Sequence, residues 1–208
     1  MSKLLLATNN RGKLVEIQAL LKALNCEATL VTPAHIGLTL KVEEDGDTYA
    51  ENAARKAVAF AQASGLLTLA DDSGLEVDAL GGLPGIHSAR FAPQPGATDA
   101  DRRAYLLERL QRMPHPWTAH FHCTVALAQP EGQAWENKIQ FAEGICPGEV
   151  ISEERGQNGF GYDPVFLLPE LGLTMAELTM EEKNRLSHRA RAIRAAKPIL
   201  LEFLTNLQ

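Results

Sequence analysis

The sequence predicts an α/β fold built on a mixed β-sheet with helices on both sides. Three stretches carry that expectation. "KLLLAT" (3–8), "KLVEIQALLKAL" (13–24) and "EATLVT" read as strand, helix and strand, a β-α-β opening. "TYAENAARKAVAFAQASG" (48–65) is a second amphipathic helix with start and stop signals. "WTAHFHCTVAL" (117–127) alternates apolar and polar residues with the period of a strand. At 208 residues, 45% apolar and 22% charged, the chain fits one domain spanning 1–208, and no repeat or low-complexity tract divides it.

Each element follows from local chemistry. The "LLL" run lacks alternation, as in a strand buried on both faces. In the first helix Leu14, Ile17, Leu20, Leu21 and Leu24 recur at helical spacing. Thr48 and Glu51 form a capping box, and Gly65 is the stop. "LLTLAD" and "LEVDAL" read as two strands flanking a Ser73-Gly74 turn. A Gly/Pro-rich loop leads to Thr98, which caps a helix reaching about Met113. In the alternating strand Trp117, Phe121, Cys123, Val125 and Leu127 face one way, and Thr118, His120, His122 and Thr124 the other. "AWENKIQFAEGIC" is expected to pair with it across "QPEGQ". Two further capping boxes, Thr174 with Glu177 and Thr179 with Glu182, precede a last helix from about Ser187 to Leu204, kinked at Pro198.

Composition narrows the function classes. A formal net charge of −6 argues against indiscriminate nucleic-acid binding, but a small anionic substrate is compatible because a site's field is local. Cys26, Cys123 and Cys146 are odd in number and lack CxxC spacing, as expected of free thiols in a reducing compartment. The apolar run in "MSKLLLATNN" is short for a signal peptide, and no stretch approaches membrane-spanning length. Together these point to a cytoplasmic protein with no membrane partner.

Several constellations can carry chemistry. "ATNNRGK" (7–13) places a small polar loop and Lys13 at a helix start, which suits an anion; it is not a Walker A loop, and an ordinary strand-to-helix turn reads the same way. "VEEDGDTYAEN" (42–52) offers Glu43, Glu44, Asp45 and Asp47 as hard oxygen ligands or as a solvated acidic loop, with Arg55 and Lys56 on the helix after it. At "ADDSG", strand parity keeps Asp71 and Asp72 from addressing one ligand together unless the strand has already turned, and parity alone leaves open which one acts. "GQNGFGYDPVF" (156–166) combines close-approach glycines with Phe160, whose ring can stack on a base. "EEKNRLSHRARAIR" (181–194) groups Lys183, Arg185, His188, Arg189, Arg191 and Arg194. His120 and His122 share a strand face usable for zinc, without an obvious third ligand. The set amounts to the inventory for a nucleoside triphosphate with Mg²⁺.

"TNNRGK", "EEDGDTYAENAARKA", "ADDSGLEVDALGGLPGIHSAR", "FGYDP" and "LSHR", in this order across nearly the whole chain, resemble the HAM1-like inosine/xanthosine triphosphate pyrophosphatase family. That resemblance implies an elongated mixed sheet with flanking helices in two lobes around a central cleft, a homodimer, and Mg²⁺-dependent hydrolysis of ITP, dITP and XTP to monophosphate and pyrophosphate. It further implies that Thr8, Asn9, Asn10, Arg11, Gly12 and Lys13 touch the triphosphate and that Lys56 lies on the phosphate side. Glu44 and Asp72 would bind the metal, with Asp72 the general base, Asp71 its supporting neighbour and Ser73 a substrate contact. Phe160, Gly161, Tyr162 and Asp163 match the nucleoside-binding segment, and Lys183, His188 and Arg189 the basic group around base and phosphates. Asn9 stands where many relatives carry Gly or Ser. Rival readings are a Maf-like pyrophosphatase for pyrimidine or modified nucleotides, a non-catalytic nucleotide-binding module, and a nucleic-acid binder using the 183–194 cluster.

Overall fold

Strands with nothing but apolar side chains must be covered on both faces, and β1 (Lys3–Leu6) is such a strand: Leu4, Leu5 and Leu6 are fully buried. The computed structural model of the protein describes residues 2–130 and 139–205. After β1 come α1 (Arg11–Ala23), β2 (Thr29–Val31), α2 (Tyr49–Ser64), β3 (Leu67–Val77), α3 (Asp99–Leu110), β4 (Trp117–Ala128) and β5 (Ile139–Val150). The chain ends with β6 (Phe166–Leu168), β7 (Leu173–Thr174), α4 (Met180–Leu186) and α5 (His188–Thr205). The strands form one mixed sheet in the order β2-β1-β3-β4-β5-β6-β7. β1 is parallel to β2 (Lys3 opposite Thr29) and to β3 (Leu4 opposite Leu67), while β6 is antiparallel to β5 and β7. An α/β class with helices flanking a mixed sheet is what the β-α-β opening predicts.

The chain divides into two compact units. The first comprises Met1–Asp72, Cys123–Gly144 and Arg189–Gln208, and the second Ser73–His122 and Ile145–His188. In the first unit, strand alternation feeds two cores. Leu4, Leu6, Leu67, Leu69, Cys123, Val125 and Leu127 pack with Ile17, Leu20 and Leu21 of α1 and with Ile193, Leu200 and Phe203 of α5. The intervening residues Leu5, Ala7, Ala70, Ala126 and Ala128 pack against Ala53, Ala57, Phe60 and Ala61 of α2. Helices therefore cover both faces, and α2 meets the strands through small side chains that permit close approach. The second unit has one core, where Leu75, Val77, Trp117, Phe121 and Phe166 meet Leu106 and Leu110 of α3.

Caps follow the sequence, with instructive departures. Thr48 accepts from Glu51 N at the start of α2, yet the Glu51 carboxylate reaches Asp47 N (2.8 Å), so the return bond falls one residue outside the expected box. Gly65 closes α2 in the left-handed region at φ 69°. Thr98–Asp101 and Thr179–Glu182 form complete capping boxes on α3 and α4, and α3 ends at Leu110 rather than near Met113. Thr174 N also donates to Glu177 (2.7 Å), but no helix follows, because Leu173–Thr174 is already paired as β7.

Two strand expectations are corrected. "LLTLADDSGLEV" is one continuous strand, and neither Ser73 nor Gly74 has the positive φ that a tight two-residue hairpin turn requires. β4 is half-exposed only over Trp117–His122; from Cys123 onward it is buried on both faces, because the two cores of the first unit lie against it there. β5 neighbours β4 in the sheet as expected, while the connecting residues 131–138 lie outside the described residues. Pro198 is inside α5. Among the described residues no helix is long and apolar enough to cross a membrane.

All three cysteines are free. Cys123 is fully buried, and burial together with the Asp71 carboxylate pushes its thiol up to about 12. Cys26 is partly exposed, with a thiol raised more modestly by burial. Brief alkylation of the folded protein at mildly alkaline pH is expected to label Cys26 alone, and denaturant to release Cys123 and Cys146. Mass spectrometry of the adducts reads this directly, and native labelling of Cys123 as fast as Cys26 would contradict the packing.

Candidate active site

β3 stays extended through Asp71 and Asp72, so their side chains leave on opposite faces. Asp71 enters the α1/α5 side. Its Oδ2 accepts from Lys13 Nζ (3.1 Å) and Arg189 Nε (3.3 Å), while Oδ1 is buried without a hydrogen-bond partner among the described residues. The Arg189 guanidinium, itself buried, also pairs with Glu16 of α1. Burial alone would raise the Asp71 pKa, but the charges of Lys13, Arg189 and Lys56 overcome it and hold the carboxyl well below the usual range. Asp71 is a fixed anion.

Asp72 enters the α2 side. Asn52 Nδ2 donates to its Oδ2 (3.1 Å), and Lys56 Nζ lies 3.7 Å from its Oδ1. The same Lys56 nitrogen donates to the Asp71 carbonyl (2.7 Å) and is 3.2 Å from Glu44 Oε2. Burial raises the Asp72 pKa, the Lys56 and Lys13 charges oppose it, and the Glu44 carboxylate adds to the rise; the net direction is upward. Adjacent carboxyls are thus driven apart, one locked as an anion and one kept closer to proton uptake.

The loop before α1 is shaped by its own side chains. Thr8 Oγ1 accepts from Asn10 N (3.2 Å), and Asn10 caps α1 by accepting from Lys13 N (3.0 Å). Asn9, Asn10 and Arg11 are exposed, and Gly12 and Lys13 partly so, which leaves an accessible helix N-terminus beside a lysine. Glu44 and Asp72, converging on one ammonium, are a hard-oxygen pair of the kind Mg²⁺ shares with phosphate and water. Among the described residues no group of three or more His, Cys, Asp or Glu is arranged to hold a metal, so a cation here would take its remaining ligands from substrate and solvent.

The other predicted residues lie in the second unit. Ser73 follows Asp72 on β3 and is partly exposed. Gly161 sits at φ 63°, where its N–H donates to Asp99 (2.8 Å) and its carbonyl accepts from Arg103 (2.8 Å). Asp163 Oδ2 accepts from Phe160 N (2.8 Å) and from the buried Lys183 Nζ (2.6 Å), which also lies 5.1 Å from the Phe160 ring centroid. Tyr162 is buried, with its hydroxyl donating to Ser88 O (2.9 Å). His188 is buried and stacks on Phe121, centroids 4.6 Å apart. His120 and His122 do share one face, both against Glu76 (3.2 and 3.5 Å).

Against this geometry stand the comparisons. A sequence model of the Ham1 family matches residues 4–199. This chain belongs to the Ham1 family. A Desulforamulus reducens protein named dITP/XTP pyrophosphatase is 49% identical over 95% of both chains. A Listeria monocytogenes protein of the same name is 46% identical over 100% of this chain and 98% of that one. The solved structure of a HAM1 protein from Coxiella burnetii superposes with a TM-score of 0.85 at 39% identity, covering 97% of this chain and 100% of that one.

Within this Ham1-family chain, Glu44, Lys56 and Asp72 are brought together in the first unit, and Lys13 pairs with Asp71 on the other face of β3. Phe160, Gly161, Tyr162, Asp163 and Lys183 are braced together in the second. Arg189 differs from the sequence expectation in its surroundings: its charge is taken up by Glu16 and Asp71. Sequence reasoning missed Asn52, Glu16, Asp99 and Arg103. Asn52 had a readable signal, since it lies one helical turn before Lys56 on the same face. Glu16 had another, as a carboxylate beside Ile17 in the apolar stripe of α1. Arg189→Met is expected to remove the guanidinium that Glu16 and Asp71 share, leaving Lys13 on Asp71, and to cost about 3 kcal/mol. Denaturant unfolding measures it, and unchanged stability would show the guanidinium is not needed inside.

Proposed function

We propose that this protein hydrolyses dITP and XTP, and with them ITP, to the nucleoside monophosphate and pyrophosphate, removing them from the nucleotide pool. The observation that carries the reading is the meeting of Glu44 and Asp72, distant in sequence, within 4 Å of one Lys56 nitrogen. The two curated relatives described above, each matched over nearly the whole chain, bear the name dITP/XTP pyrophosphatase.

Glu44 and Asp72 would hold Mg²⁺, which when bound offsets phosphate charge and acidifies a water. The start of α1 and Lys13 receive phosphate oxygens, with Lys13 oriented by the fixed anion Asp71. Asp72, raised by burial, accepts the proton of the attacking water as the new O–P bond forms at the α-phosphorus. The α–β bridging bond breaks, and Lys13 and Lys56 stabilise the charge gathering on pyrophosphate. Phe160 offers a ring face to the purine. A 6-oxo purine accepts at O6 where adenine donates, so a donor there discriminates against ATP. Since the Arg189 guanidinium is engaged by Glu16 and Asp71, backbone N–H groups and His188 are assigned that part. A homodimer and a cytoplasmic setting belong to the same reading, through the motif resemblance and, for the second, the three free thiols.

A panel of ITP, dITP, XTP, ATP, GTP and a pyrimidine triphosphate, with and without Mg²⁺, tests the reading by product identification. Mg²⁺-dependent release of monophosphate and pyrophosphate from the first three is expected, with poor turnover of the rest. Binding of ITP without turnover would favour a nucleotide-binding module, and pyrimidine preference a Maf-like enzyme. Asp72→Asn is expected to lower kcat at least on the order of a hundredfold while leaving the unfolding midpoint in place. Near-normal turnover in that variant would remove Asp72 from the chemistry.

A further inference from the structure

We propose that Asn52 is a positioning residue that locks Glu44 and Asp72 into one divalent-cation site, an inference that rests on the functional reading above. Asn52 is fully buried on α2 and engages both ends of its amide. Its Oδ1 accepts from Gly46 N (2.8 Å), and its Nδ2 donates to Asp72 Oδ2 (3.1 Å). A backbone N–H can only donate and a carboxylate can only accept, so the two partners fix the orientation of the amide. One end therefore grips the acidic loop and the other grips the candidate base. Asn52 engages Oδ2, and the oxygen of Asp72 nearest Lys56 is Oδ1.

The loop has little freedom to sit elsewhere. A β-carbon added at Gly46 would lie 2.8 Å from Glu51 Cβ and 2.9 Å from Asn52 Oδ1, so the backbone is pressed directly on α2. Glycine is required there for close approach, since its φ is not positive. Asp47 N donates to Glu51 Oε2 (2.8 Å), Glu51 N donates to Thr48 Oγ1 (3.1 Å), and Asp45 pairs with Arg55. These contacts set the register of the loop on the helix. Glu44, two residues before Gly46, is thereby delivered to Lys56, one turn beyond Asn52 on the same helix face. Outer residues that orient metal ligands in this way typically change metal affinity or activity by about 10–100-fold when removed.

The test uses the full-length protein and two variants. Mn²⁺, as a spectroscopic stand-in for Mg²⁺, is titrated by electron paramagnetic resonance without nucleotide. Asn52→Ala is expected to weaken Mn²⁺ binding about tenfold or more. Its kcat for ITP should fall while KM for ITP stays within about twofold, because the α1 loop is untouched. Gly46→Ala, which keeps the amide but lifts the loop, is expected to show the same metal defect and decides the matter should Asn52→Ala not fold. Unchanged Mn²⁺ affinity in the folded variants, or a loss confined to KM, would overturn the proposal. A wild-type protein that binds Mn²⁺ but hydrolyses none of the nucleotides would sink the proposed activity and leave the metal-binding comparison to judge Asn52.

Discussion

The arrangement of the first unit depends on β3 remaining extended across two consecutive carboxylates. An extended backbone must send Asp71 and Asp72 to opposite faces, and the two faces are covered by different helices. One face supplies Lys13 and Arg189, the other Asn52 and Lys56. The same acid in adjacent positions therefore acquires opposite electrostatic characters, with no difference in intrinsic chemistry.

Burying ionised groups is expensive, and a buried pair returns little net stability over an apolar replacement. The chain nonetheless buries Asp71, Arg189 and Glu16 together, and Asp163 with Lys183. What these sets do supply is direction. Asp71 aims Lys13, and Asp163 ties Lys183 to the backbone of Phe160. Asp99 and Arg103 of α3 hold the two polar atoms of the Gly161 backbone from the same helix. In both units, charge is used to fix the geometry of loops that carry polar chemistry.

Much of this was legible in the sequence, for reasons tied to local rules. Helix starts at Thr48, Thr98 and Thr179 follow from cap chemistry, and β1 from an uninterrupted apolar run. Strand parity foretold that Asp71 and Asp72 would part company provided the strand had not yet turned. The misreadings arose where a tertiary partner overrode a local preference. Ser73-Gly74 favours a turn, but sheet pairing keeps it straight; Thr174-Glu177 forms the bond of a capping box without a helix, since β7 pairs with β6. How the 183–194 cations sort was not legible either: α5 begins at His188. One imidazole is stacked on Phe121 and the neighbouring guanidinium is matched to acids. No local rule reveals which cations of a basic run will be neutralised inside.

The alanine stripe of α2 has a mechanical consequence. Ala53, Ala57 and Ala61 rest on the strands, and the adjoining stripe of the same helix carries Asn52 and Lys56. A methyl group is the thinnest shim a side chain with a β-carbon can provide, so the standoff of the whole rod is set at its minimum. Thickening any one of these spacers would tilt or raise the rod, shifting an amide and an ammonium that the altered position never touches. The calibration of the carboxylate centre thus resides partly in residues with no polar atom beyond their backbone.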